Sequence, residues 1–118
     1  EEGKKIMNEN KSFVFFRELT GAGPLGAMGY PVVGEASVAV DPRYVPLGAP
    51  VWLSLDRAEP NGIWVAQDTG GAIKGANRFD SFWGAGDRAR AIAGGMSARG
   101  SALIFLPKAT VARLIPAQ

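Results

Sequence analysis

Asp41, Asp68 and Asp80 stand apart from the other acids of this sequence because of what surrounds them. Asp41 closes the run EASVAV, Asp68 follows the apolar IWVA, and Asp80 is flanked by Phe79, Phe82 and Trp83. A carboxylate at a strand end among apolar neighbours loses hydration, and a second carboxylate nearby disfavours its charged form further. Those are the conditions for a proton donor near neutral pH, and Asp80 meets them best. Gly70, Gly71 and Gly75 surround Ala72-Ile73-Lys74, so backbone N–H groups can approach a ligand closely while Lys74 reaches back with a charge or hydrogen bond. The run GGAIKG lacks the spacing of a phosphate-binding P-loop. Phe82, Trp83 and Trp64 offer flat faces to sugar rings, with core packing as their competing use, more strongly for Trp64.

Composition narrows the chemistry further. The 118 residues include no cysteine and no histidine, which removes thiolate nucleophiles, Ser-His-Asp triads and Cys- or His-based metal sites. Carboxylates, lysine, hydroxyls and backbone dipoles must carry any catalysis. A net charge of +2 from scattered basic residues is too small for a nucleic-acid footprint. No apolar stretch reaches the roughly 18 to 20 residues that span a bilayer, so any membrane anchor is expected outside this segment.

The elements that must position these residues read as short strands joined by turns. Sixteen glycines and eight prolines favour tight turns over long helices. Residues 1–10 read as the end of a helix or a lead-in. Strands are expected at Ser12–Glu18, at Glu35–Val40 and within Pro46–Leu55, where Val51, Leu53 and Leu55 share one face and Trp52 and Ser54 the other. The polar DRAEPNG ends in Asn-Gly, a hairpin signal, and Ile63–Gln67 is the expected return strand. Residues 68–86 read as a long irregular loop of the kind that carries function. Asp87–Ala93 reads as a short helix, capped by Asp87 and ended by Gly94 in the left-handed conformation. Ser101–Leu106 is a continuous apolar strand, and the tail after Pro107 is indecisive. About five strands with one short helix make an all-β barrel or sandwich.

Three runs carry a resemblance: SVAVDPRYVPLGAPVWL, AQDTGGAIKGANRFDSFWGAGDRA and SALIFLP. Together they resemble the 3D domain, named for three aspartates, of the membrane-bound lytic murein transglycosylase A family. SFVFFRE and GAMGYPVVGEASVAVD look like that family's lead into this region. The resemblance implies a double-psi β-barrel of the six-stranded type over residues 11–107, with 1–10 leading in from an upstream region and 108–118 as a tail. It implies an enzyme that binds peptidoglycan glycan strands and cleaves the β-1,4 bond between N-acetylmuramic acid and N-acetylglucosamine, leaving a 1,6-anhydro end with no metal and no cofactor required. By position Asp80 falls on the catalytic aspartate, Asp68 on its nearby partner, and Asp41 on a structural one that holds the loop framing the cleft. Gly70, Gly71, Lys74, Phe82 and Trp83 are the expected substrate contacts. The resemblance also implies an upstream inserted domain as the opposite wall of the groove, and a periplasmic, outer-membrane-associated location. Two other uses of such a barrel stay open, a polysaccharide-binding module like the expansins and a hydrolytic glucanase with a second carboxylate.

Overall fold

The computed structural model describes residues 2–9 and 15–115. Its elements in chain order are α1 (Glu2–Asn8), β1 (Ser37–Val40), β2 (Pro50–Leu55), β3 (Gly62–Asp68), β4 (Phe79–Ser81), α2 (Asp87–Ala93), β5 (Gly100–Ile104) and α3 (Lys108–Leu114). All five strands belong to one sheet in the order β4-β1-β3-β2-β5. β1 runs parallel to β3 and antiparallel to β4, while β2 is antiparallel to both β3 and β5. The sheet is curled: Asn77 Nδ2 donates to the Gly100 carbonyl at 3.0 Å, and residues of the two edge strands line one cavity of about 460 Å³.

The expected alternation in β2 is present. Val51 and Leu53 are buried and Trp52 and Ser54 exposed, because successive side chains of a strand point to opposite faces. Val51 and Leu53 join Val38, Val40, Val45, Trp64, Ala66, Trp83 and Ala89 in the core. β2 and β3 do form a hairpin, with Val51 opposite Trp64 and Trp52 opposite Ile63. Its loop is long, and Asn61 works through its side chain: Oδ1 accepts the Leu55 N–H at 2.6 Å and Nδ2 donates to the Arg57 carbonyl at 2.9 Å.

Several expectations differ from the structure. Of the strand expected at Ser12–Glu18, residues 12–14 lie outside the described residues. Residues 15–18 are not in a strand, and Phe15 and Phe16 are 93% and 95% exposed. The second strand begins at Ser37 because Glu35, at φ 61°, still belongs to a turn. A strand that alternation did not reveal, β4, lies inside the glycine-rich loop; three residues are too few to show a period of two. α2 has the expected bounds but different ends. Gly86 is its N-cap, no side-chain cap bond forms, and Gly94 is right-handed at φ −63°. The apolar SALIFL is an exposed edge strand, with Leu103 66% and Phe105 51% exposed. The tail is helical as α3, so the described residues carry three short helices rather than one.

Candidate active site

The pairing of three adjacent strands builds the site. Ala39 of β1 is the register partner of Asp68 on β3 and, across its other edge, of Asp80 on β4. A register shift between Val38 and Ala39 brings Asp68 level with Ala39. Two strand spacings separate the aspartates, which places their Cα atoms about 10 Å apart. Laterally paired residues share a face of the sheet, so a methyl group is all that the sheet raises between two carboxyls. Asp68, Asp80 and Ala39 line one open cavity of about 430 Å³ together with Gly70, Gly71, Phe82 and Val32.

The three aspartates have different surroundings. Asp41 is buried, with 1% of its surface exposed. Its Oδ2 accepts the Arg43 Nη2–H at 2.7 Å and the Gly75 N–H at 2.9 Å, and Oδ1 accepts the Arg43 N–H at 3.1 Å. The side-chain hydrogen bond from Arg43 comes first, and the Gly75 amide second, in holding this carboxyl well below the usual carboxylate range. Asp41 thereby ties the glycine loop to the end of β1. Asp68 is half-buried, and its Oδ1 accepts the Ala27 N–H at 3.0 Å and the Thr69 N–H at 2.8 Å.

Asp80 is exposed, and its carboxylate accepts no hydrogen bond among the described residues. This corrects the expectation that rings enclose it. Along β4 the Phe79 side chain packs against the core, and Trp83 beyond the strand is buried. The Phe79 and Trp83 rings therefore serve the core, whereas Phe82 lines the same open cavity as Asp80. Asp80 also lines the second cavity, between the sheet edges, with Arg78, Arg99 and Trp83.

The remaining expected contacts divide. Gly70, Gly71 and Phe82 line the cavity that holds Asp68 and Asp80, whereas Lys74 is exposed and lines neither cavity. A side chain at Gly70 would place its Cβ 2.7 Å from Ile73 Cγ1, while at Gly71 it would meet nothing within 4 Å. Gly70 is thus needed by the turn, and Gly71 leaves space open on the cavity side. The Trp83 ring lies edge-on to Trp64 with centroids 5.4 Å apart, and its Nε1 donates to Ser81 Oγ at 2.9 Å. Trp64 is in the core as expected, its Nε1 donating to the Pro60 carbonyl at 2.8 Å. Among the described residues no group of three His, Cys, Asp or Glu side chains could hold a metal ion.

Sequence reasoning missed Ala39, Ser37, Gln67 and the segment 24–32. Ser37 is buried in the cavity wall, accepts the Val33 N–H at 2.8 Å and donates to Gln67 Oε1. The small residue between two valines in SVAV was the available signal for Ala39; nothing local marks the others, whose partners lie about 30 to 41 positions away.

Comparison with known proteins bears on this geometry. A family model described as the 3D domain matches residues 36–106. The membrane-bound lytic murein transglycosylase A of Vibrio cholerae is 35% identical over 100 residues, covering 77% of this chain and 27% of that protein. A crystal structure of MltA from Neisseria gonorrhoeae superposes with a TM-score of 0.75 at 44% identity, over 87% of this chain and 28% of that one. The E. coli MltA structure with bound chitohexaose gives a TM-score of 0.60 at 36% identity, over 75% and 29%. The chain spans about a quarter of the length of the curated relatives it matches.

Proposed function

The chain belongs to the 3D-domain family, and from that premise we propose that it is the glycan-cutting face of a peptidoglycan lytic transglycosylase in which Asp80 is the single acid and base. The observation that carries this reading is the contrast among the three carboxylates. Asp41 is buried against Arg43 and Gly75, Asp68 is engaged by two backbone amides, and Asp80 alone presents an unengaged carboxylate to the cavity.

One carboxyl is sufficient for this reaction. Protonated Asp80 gives its hydrogen to the bridging oxygen as the C1–O bond between N-acetylmuramic acid and N-acetylglucosamine breaks. As the carboxylate it then takes the proton from the muramic C6 hydroxyl while O6 attacks C1. The leaving sugar departs with a free hydroxyl, the other end closes as a 1,6-anhydro ring, and Asp80 regains its proton. An ordinary glycosidase needs a second carboxylate free to act as base or nucleophile, and the amide bonds on Asp68 Oδ1 speak against that use.

The rest of the relatives' length gives this sheet its proposed setting. β4 and β5 each pair along one edge, which leaves room for a sixth strand and the closed double-psi barrel over residues 11–107, with 1–10 as a lead-in and 108–118 as a tail. An upstream inserted domain supplies the opposite wall over the exposed Asp80. No helix among the described residues is long and apolar enough to cross a membrane. The proposed location is the periplasm at the outer membrane, held by an anchor outside this segment, and the relatives are named as membrane-bound.

The test is product analysis on intact peptidoglycan. Soluble muropeptides that have gained no water relative to the intact strand identify transglycosylation, and products that have gained a water identify a glucanase. Asp80→Asn is expected to lower the rate by at least about 10²-fold, near 2.7 kcal/mol of barrier, with unchanged circular dichroism. Release of anhydromuropeptides by that variant at the parent rate removes Asp80 from the chemistry. Co-sedimentation of the parent protein without any soluble product makes it a binding module.

A further inference from the structure

The segment Pro24–Val32 is a small folded hairpin beside the site, and none of its residues has a part in the reaction as proposed. The Gly26 N–H donates to the Tyr30 carbonyl at 2.9 Å, the Val32 N–H to the Pro24 carbonyl at 2.9 Å, and Leu25 bridges Pro31. Gly29, at φ 78°, makes the turn. The hairpin lies directly on the end of β3. A Cβ on Gly26 would stand 2.4 Å from the Gln67 carbonyl oxygen, and the Ala27 N–H reaches Asp68 Oδ1 at 3.0 Å. One end of the hairpin, Val32, already lines the cavity of Asp80. Two residues away, Tyr30 is 64% exposed, its Cα within about 7 Å of Val32.

We propose that this hairpin is a wall of the glycan-binding cleft, that Tyr30 is the ring on which a sugar of the strand lies, and that Asp68 is the positioning residue that holds the wall in place. The proposal rests on the glycan-cutting reading of the same cavity. A tyrosine on a backbone fixed by its own hydrogen bonds offers a rigid apolar face at little entropic cost. Both amide bonds of Asp68 fall on one oxygen, Oδ1. An amide oxygen can also accept two N–H groups, though less strongly than a carboxylate, so Asn keeps the shape of the clamp without the charge.

That distinction makes the test. Asp68→Asn is expected to cleave peptidoglycan with a KM and kcat close to the parent. Asp68→Ala, checked for folding by circular dichroism, is expected to raise KM with little change in kcat. By amide hydrogen exchange, the Ala27 N–H should be protected in the parent and in Asp68→Asn and exchange faster in Asp68→Ala. Titration with chitohexaose, an N-acetylglucosamine hexamer, is expected to shift the amides of residues 24–32, and Tyr30→Ala to weaken binding about five- to tenfold. A large fall in kcat for Asp68→Asn overturns the positioning role by showing that the charge itself is needed. Unaltered Ala27 exchange in Asp68→Ala overturns the clamp, and chitohexaose shifts that bypass residues 24–32 overturn the wall. The exchange and titration readouts do not depend on Asp80, whose failure as the acid is read separately from the activity of Asp80→Asn.

Discussion

Trp83 offers a decisive measurement, because its sequence context suits a sugar platform and its structural context is the core. The ring is 8% exposed, stands edge-on to Trp64 at an interplanar angle of 73°, and its N–H is bound to Ser81 Oγ. Trp83→Phe keeps an aromatic ring but removes the N–H and part of the buried volume. Losing the hydrogen bond costs about 1 kcal/mol, and the weakened edge contact with the residual void costs about 1 more. A total of about 2 kcal/mol lowers the melting midpoint by about 8 °C in a domain of this size. Trp83→Ala opens a full cavity beside Trp64 and costs about 3 to 5 kcal/mol. The assay pairs urea or thermal denaturation with chitohexaose titration on the same samples, at a temperature where both proteins are folded. The core assignment requires that Trp83→Phe melt early and bind the glycan as the parent does. A variant that melts with the parent and has lost glycan binding would refute the reasoning and return Trp83 to the cleft.

Two further predictions concern the loop that frames the cavity. Because Arg43 and the Gly75 amide hold the folded Asp41 carboxyl below its ordinary value near 3.9, Asp41 contributes stability that is complete above about pH 4 and is lost as the pH falls toward the depressed value. The melting midpoint of Asp41→Asn should therefore lie below the parent's at neutral pH, with the gap closing in acid; a gap independent of pH contradicts the linkage. Gly70→Ala should destabilise the fold by about 1 to 3 kcal/mol through collision with Ile73. Gly71→Ala should melt with the parent yet weaken glycan binding, since its new methyl group meets open space at the cavity; equal melting points for the two variants would contradict the division of roles.

How much of this was legible in the sequence depended on the range of the interactions. The hairpin of β2 and β3 was legible because alternation and a polar turn are local. The helix at Asp87–Ala93 was legible for the same reason, although its ends were not, since Gly86 takes the cap position at φ 94°. β4 was hidden because Phe79–Ser81 becomes a strand only by pairing with β1, some 40 residues earlier. The apolar SALIFL was legible as a strand, and its exposure follows from pairing with β2 alone, which leaves its outer edge and face open. Asp68 and Asp80 could be singled out by their neighbours in the chain. Their common register on Ala39 could not, because it combines a parallel pair, an antiparallel pair and a shift in register.

The error about Asp80 is instructive for the proposed mechanism. Phe79, Phe82 and Trp83 suggested a carboxyl wrapped in rings, but a strand alternates its side chains, so neighbours in sequence are the residues least able to surround one another. Two of those rings serve the core, and only Phe82 lines the cavity that holds both Asp68 and Asp80. The dry surroundings that a proton donor needs must then come from groups facing the sheet. In the proposed enzyme these are the glycan strand itself, the hairpin hung on Asp68 and the wall supplied by the upstream domain. An exposed Asp80 is consistent with such an arrangement, since a carboxylate sealed by its own strand would be closed to the sugar bridge as well as to water. Catalysis on this scheme is assembled by substrate and wall together, and the sheet contributes a reactive group held in register over the smallest side chain that can fill the gap.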